Sequence, residues 1–246
     1  MILPESQQIQ RSGRLLPFIA DEDLIQATDK LVNAIMSAKG RVENNPYHNV
    51  IDPFSALVDA AHQKIFIEDW MTQEKSRQIQ KALQNALGDF HQDILGSMPG
   101  WKSMGRNGSY DLENVEMKII AEIKNKHNTM NARSALSVYD NLQRHLDYSG
   151  GNVTKAYLVE IIPKHPGAYE QPFTPGERGT PRPSRKDIIK IDGKSFYDLA
   201  SGHTNALRKV YDALPSVLER LIGLPSTELT GSDYFDELFN RVYTTL

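Results

Sequence analysis

The sequence contains no cysteine. That excludes thiol nucleophiles, thiolate zinc sites, iron-sulfur clusters and any dependence on disulfides. A metal would have to be held by oxygen or imidazole donors. No apolar run approaches the 18 or so residues that a membrane span needs, and the start, MILPESQQIQRSGRLLPF, lacks a continuous apolar segment of the secretory type. The expected location is the cytoplasm, with no membrane partner. A strong charge of one sign is also missing: 28 basic against 31 acidic residues leave a net charge of −3. Any affinity for a polyanion must therefore be local.

With 246 residues, 39% of them hydrophobic, the chain is long enough to bury a core without covalent staples. We read it as a single domain, 1–246, in three consecutive regions: an N-terminal helical part (1–70), a core (71–163) and a long loop with C-terminal helices (164–246). In the first part, Leu24, Ile25, Leu31, Val32 and Ile35 recur at helical spacing, with Gly40 as the expected stop. Asp52-Pro53 offers an N-cap and a first-turn proline to a second helix. The most periodic stretch is 72–95, where Ile79, Ala82, Leu83, Ala86, Leu87, Phe90 and Ile94 form one stripe.

After the turn-rich GRNGS the period changes to two. Met117, Ile119, Ala121 and Ile123 alternate with Lys118, Ile120, Glu122 and Lys124, which predicts a strand. A shorter strand at 110–112 precedes it at hairpin distance. A helix over 131–146 follows, with Ala135, Val138, Tyr139, Leu142 and Leu146 in register, and AYLVEII (156–162) reads as a strand covered on both faces. The fold class implied is α/β, a mixed central sheet with flanking helices. From Pro163 to Pro183 the chain is expected to be a long loop. A short strand at 187–191, a turn at Asp192-Gly193 and two terminal helices, about 204–221 and 232–243, complete the expectation. Phe196, Tyr197, Met98 and Trp101 are read as core packing.

Asp111 lies eleven residues before Glu122, and Lys124 follows Glu122 after one residue. Period-two geometry puts Glu122 and Lys124 on one sheet face, roughly 7 Å apart, and a hairpin returns Asp111 beside them. Two converging carboxylates with room for water and phosphate are what Mg²⁺ takes. A lysine beside the attacking water then completes a constellation for phosphodiester hydrolysis. Acid-x-lysine on an exposed strand is common by itself, so the order of elements around it carries weight.

That order resembles the catalytic core of the PD-(D/E)XK nucleases, with Tyr110-Asp111 in the PD position and Glu122-Ile123-Lys124 as the (D/E)XK element. The segments EKSRQIQKALQNALGDFHQDIL, IIAEIKNKHNTMN and IDGKSFYDLASG are similar to a branch of type II restriction endonucleases that includes enzymes cutting GGNCC-like sites. The likeness covers the chain from about Val50 onward, and Tyr110 stands where the motif's name has proline. It implies a restriction-endonuclease-like core, a metal site of Asp111, Glu122 and Ile123, catalysis by these and Lys124, and Glu74 as an extra acid near the metal. Asp89 or Glu68 could equally hold that last place, and a solvated acid favoured by the helix dipole explains Glu74 as well.

Two further groups are candidates for DNA contact. Lys126, His127 and Asn128 either touch phosphate from the strand end or are solvated, with Asn128 or Thr129 capping the next helix. The stretch 177–190 holds Arg178, Arg182, Arg185, Lys186 and Lys190 against Glu177 and Asp187. Arginine forks match guanine edges, so the three arginines are base-reading candidates, and Lys186 and Lys190 are phosphate contacts. The expectation is a Mg²⁺-dependent enzyme cutting double-stranded DNA at a short GC-rich palindromic or pseudopalindromic site, giving 5′-phosphate and 3′-hydroxyl ends. It would act as a homodimer through its terminal helices and be accompanied by a protecting cytosine methyltransferase. The rivals are a repair or RNA-processing nuclease of the same core and a DNA-binding protein without catalysis.

Overall fold

The computed structural model of the chain describes residues 14–105, 108–177 and 180–244. In chain order the helices and strands are α1 (Asp21–Asn44), α2 (Pro53–Gln63), α3 (Ile67–Gly96), β1 (Trp101–Ser103), β2 (Leu112–Asn114), β3 (Ile119–Lys126) and α4 (Ala132–Tyr148). There follow β4 (Lys155–Ile162), β5 (Glu170–Pro172), β6 (Gly176–Glu177), β7 (Thr180–Pro181), β8 (Ile188–Asp192), α5 (Gly193–Ser201), α6 (Ala206–Ile222), α7 (Ser226–Thr230) and α8 (Tyr234–Tyr243). Two compact units divide the chain: one runs up to Gln26 and resumes at His91, and the other is Ala27–Phe90.

The larger unit is built on a six-stranded mixed sheet in the order β1-β2-β3-β4-β8-β5. β1, β2 and β3 are antiparallel; β3, β4 and β8 are parallel; β5 closes the far edge antiparallel to β8. A parallel step needs a crossover, and α4 supplies it between β3 and β4. Ile120, Ala156, Leu158 and Ile188 project from neighbouring strands onto Tyr139 and Leu142 of α4, with Phe173 closing the cluster. Leu142 is 1% exposed, so truncating it to alanine removes about 2–5 kcal/mol of packing. On the opposite face Phe196 of α5 meets Tyr157 at 5.7 Å and Trp101 at 5.3 Å between ring centroids. The smaller unit has its own cluster, in which Ala56 and Ala60 of α2 pack on Trp70 of α3.

An α/β mixed sheet with flanking helices is thus the architecture, and five local expectations are corrected. α1 continues through Gly40 to Asn44, because a glycine costs a helix only about 1 kcal/mol and the first proline after it, Pro46, lies just beyond the helix end. The short strand is Leu112–Asn114 rather than 110–112, and the turn behind it reaches Lys118, whose φ of 57° is left-handed. The stretch from Pro163 to Pro183 is not loop throughout, since β5 joins the main sheet and β6 and β7 pair with each other.

Asp192-Gly193 is the start of α5 rather than a turn. The Asp192 carboxylate accepts from the Ser195 amide at 2.9 Å as an N-cap. A Cβ on Gly193 would lie 2.5 Å from the Ile161 carbonyl oxygen, so the glycine serves close helix–strand approach. Finally, the cap of α4 is Asn131, which accepts from the Ser134 amide at 2.8 Å. Neither Asn128 nor Thr129 fills that place: the Thr129 hydroxyl instead donates to the Lys126 carbonyl.

His91, at the end of α3, lies with Nδ1 2.7 Å from the Tyr197 hydroxyl, and burial pushes its pKa down to about 4. The unfolded chain, with an ordinary histidine near 6.5, takes up this proton first as pH falls. Stability is therefore complete above pH 6.5 and declines through the window from 6.5 to 4, by up to about 3 kcal/mol for this group. Urea midpoints measured across that window are expected to fall for the wild type, and the fall should shrink in His91→Gln. An equal pH slope in both proteins would show that His91 is not the group responsible.

Candidate active site

Asp111 sits just before β2, at the point where backbone pairing with β3 opens. Its amide donates to the Ala121 carbonyl at 3.0 Å, and its own carbonyl accepts from the Met104 amide at 2.9 Å. One step further, its side chain replaces the backbone: Oδ2 accepts from the Ile123 amide at 2.7 Å. The carboxylate is thereby pinned to the peptide that joins Glu122 to Ile123. Glu122 and Lys124 share the α4 face of β3, and their Oε1 and Nζ are 2.6 Å apart with side chains 16% and 26% exposed. Ile123, between them, turns its side chain into the core on the other face.

Asp111 and Glu122 line one cleft of about 570 Å³. Gly108 and Ser109 form one rim, and the outer face of α4 forms the wall with Arg133, Ser137, Asp140, Asn141 and Arg144. Strand floor and helix wall are tied together. Asn141 donates to the Ser109 carbonyl, the Ser109 hydroxyl lies 2.8 Å from His145 Nε2, and Tyr110 meets the His145 ring edge-on at 4.8 Å. Burial, with Arg144 beside it, lowers the His145 pKa, and the ring bridges the loop to the helix.

The donor set suits a hard cation. Mg²⁺ binds through one or two carboxylates and keeps several waters, so two acids need no third. Among the described residues no group of three or more histidine, aspartate or glutamate side chains converges. Asp111, Glu122 and the Ile123 carbonyl would be the protein's oxygen donors.

The other candidates are placed as follows. Glu74 lies on α3 in the smaller unit, where Gln78 takes one oxygen at 3.0 Å and Arg77 the other at 3.0 Å. Lys126 ends β3 half-buried, and Asn128 is exposed in the turn after it. His127 Nδ1 is buried without a hydrogen-bond partner among the described residues. Arg178 lies outside the described residues. Arg182 pairs with Asp140 of α4 at 2.6 Å, and its Nε is buried without a partner among the described residues. Arg185 forks onto both oxygens of Asp187 and reaches Asp147 of α4 at 2.7 Å. These carboxylates push the Arg182 and Arg185 pKa values up, that is, they hold the charge in place. Lys186 is exposed. Lys190 lies 3.7 Å from Glu160 and over the Tyr169 ring.

The polar row of α4 was missed in the sequence, although its signal is there. Arg133, Ser137, Asp140, Asn141 and Arg144 recur at three- and four-residue spacing opposite the stripe of Ala135, Val138, Tyr139 and Leu142. If Asn141 anchors the loop that carries Asp111, Asn141→Ala should speed amide hydrogen exchange across 108–111 severalfold and leave the interior of α4 unchanged. Unaltered exchange in the loop would mean that it is held by other contacts.

Comparison with known proteins gives a consistent result. A family model described as Eco47II restriction endonuclease matches residues 16–223. The chain is 38% identical over 243 residues to a protein of Escherichia coli named type II restriction enzyme Eco47II, covering 93% of this chain and 99% of that one. It is 26% identical over 237 residues to the type II restriction enzyme Sau96I of Staphylococcus aureus, covering 94% of this chain and 90% of the relative.

Proposed function

Because the chain belongs to the Eco47II restriction endonuclease family, we propose that it is a Mg²⁺-dependent type II endonuclease that cuts double-stranded DNA at a short GC-rich palindrome of the GGNCC type. The observation that carries this reading is the pinning of Asp111 to the Glu122–Ile123 peptide, at the head of a cleft lined by both acids. Asp111, Glu122 and the Ile123 carbonyl would hold a divalent cation, which would supply charge stabilisation to the phosphoryl group. The chain's own part is positional. Lys124, drawn in by Glu122, orients the attacking water and meets the negative charge that builds on the phosphate. Water attacks phosphorus in line, the P–O3′ bond breaks, and a proton passes to the departing oxygen. The ends are a 5′-phosphate and a 3′-hydroxyl.

Glu74 is a further acid for the metal site, but it would first have to release Arg77 and Gln78. For DNA contact the reading retains Lys126, Asn128, Arg178 and Lys186, and also Arg182, Arg185 and Lys190, which would first have to loosen their pairing with Asp140, Asp147, Asp187 and Glu160. It places the enzyme in the cytoplasm beside a methyltransferase protecting the same sequence. No helix among the described residues is long and apolar enough to cross a membrane.

Magnesium-started digestion of phage DNA is expected to give discrete fragments. Asp111→Asn, Glu122→Gln and Lys124→Ala should each lower the rate by about 10²- to 10⁴-fold while remaining folded. Random degradation would favour a repair nuclease, binding without cleavage would favour a non-catalytic DNA-binding protein, and full activity of folded Lys124→Ala would overturn the mechanism.

Cutting both strands of a palindrome calls for two copies related by a two-fold axis. The terminal helices offer exposed Tyr234 and Leu238, but a larger apolar face lies in the smaller unit. Tyr47, Val50, Leu57 and Ile67 line an apolar groove, and Val50 is fully exposed, Phe54 and Phe66 79% exposed. The three rings Tyr47, Phe54 and Phe66 leave roughly 400 Å² open. With Val50, Leu57 and Val58, the smaller unit exposes more large apolar side chains than the terminal helices do, which suits one half of a two-fold interface. Analytical ultracentrifugation should find a wild-type dimer and a monomeric Phe54→Glu/Val58→Glu variant. A dimeric variant would move the contact to the terminal helices, and a monomeric wild type would remove the dimer from the reading.

A further inference from the structure

The cleft presents an electrostatic difficulty. Its floor carries Asp111 and Glu122, its wall carries Asp140, and the whole chain is net acidic. A phosphodiester backbone entering it meets carboxylates first. The arginines expected to draw DNA in, Arg182 and Arg185, are already engaged by Asp140, Asp147 and Asp187. Arg133 and Arg144 differ from them. Both are exposed, both line the cleft, and neither has an ion pair among the described residues.

Their position follows from α4 itself. Tyr139 and Leu142 fix the helix on the sheet, which leaves the opposite row at 133, 137, 141 and 144 facing the cleft. Eleven residues separate the two arginines, so they stand roughly 16 Å apart along the helix axis. That span covers several successive phosphates of one strand, whose rise is about 3.4 Å per nucleotide along the duplex axis. Between them, Asp140 has its charge answered by Arg182, so the acid in the wall does not cancel the pair. The guanidinium fork suits two oxygens of one phosphate, and an exposed arginine is free to make that contact.

We propose that Arg133 and Arg144 form a phosphate clamp: each binds a backbone phosphate of the strand whose scissile group lies over Asp111 and Glu122. The clamp positions the strand and carries no sequence information. This inference rests on the nuclease reading above.

The test measures equilibrium binding of the full chain to two short duplexes, one carrying GGNCC and one scrambled, with calcium replacing magnesium, through a salt titration. Arg133→Ala and Arg144→Ala should each weaken both duplexes alike, by about tenfold or more, and each should reduce the salt slope by about 2, since each copy of the dimer loses one phosphate contact. Arg133→Lys and Arg144→Lys should restore the slope, since the charge alone sets it. Unfolding is controlled by thermal melts, and Arg→Gln variants at the same positions serve where an alanine variant melts early. An unchanged slope in both folded variants overturns the clamp. A loss confined to the GGNCC duplex also overturns it, because the arginines would then read bases. If the wild type cuts DNA with magnesium in either of these cases, the nuclease reading stands and only the clamp falls. If the wild type neither binds nor cuts either duplex, the nuclease reading fails as well.

Discussion

A single hydrogen bond turns sheet register into a candidate active site: the Ile123 amide donating to Asp111 Oδ2. The backbone ladder between β2 and β3 stops at Leu112 opposite Ala121. Beyond it, a carboxylate oxygen takes the place that a backbone carbonyl would occupy. An amide left open where the β2 ladder ends is thus satisfied by an acid, and the acid acquires a fixed position. An aspartate is short enough to do this, whereas the extra methylene of a glutamate would carry the oxygens past the amide. The same peptide orients Glu122, so the two carboxylates cannot drift independently.

Such precision would be lost if the loop ahead of Asp111 were loose, and α4 prevents that. Its buried side holds the sheet through Tyr139 and Leu142. Its exposed side anchors two separate stretches of chain. Asn141 and His145 hold Ser109 and Tyr110, while Asp140 and Asp147 hold Arg182 and Arg185, and the Tyr139 hydroxyl donates to the Pro183 carbonyl at 2.7 Å. Exposed ion pairs contribute about 0–1 kcal/mol each, so their value here lies in fixing the path of the 182–187 segment rather than in stability. Side-chain row, loop and strand end meet because one helix spans all three.

The elements legible in the sequence were those whose period is long and regular: the stripe of α3, the alternation of β3, and the continuous apolar run of β4. Asp111, Glu122 and Lys124 were legible for a related reason, since a period of two assigns faces without knowledge of neighbours. What escaped the sequence depends on partners remote in the chain. Gly193 reads as a breaker until Ile161 is seen against it. β5 is three residues with a terminal proline, and only β8 makes it a strand. The arginines of the basic stretch looked alike by composition; Asp140 and Asp147, some forty residues earlier on another element, distinguish their surroundings. The resemblance to restriction endonucleases rested on longer segments and led to the family that the comparisons show.

The distribution of used and unused cations sets where a polyanion can be held. Glu160 is 5% exposed, accepts the Tyr169 hydroxyl at 2.6 Å and stands level with Lys124 across the β3–β4 pairing. Lys190 is its cationic neighbour at 3.7 Å. Drawing Lys190 away to a phosphate would leave a nearly buried carboxylate short of a counter-charge, a change worth several kcal/mol against binding. Burial and Glu160 both raise the Tyr169 pKa, so the hydroxyl keeps its proton and remains the donor, but a neutral donor does not replace a charge. Lys186, Arg133 and Arg144 carry no such obligation among the described residues. In a protein whose net charge repels DNA, attraction must come from cations that folding has left unpaired, and on α4 these border the cleft that holds Asp111 and Glu122.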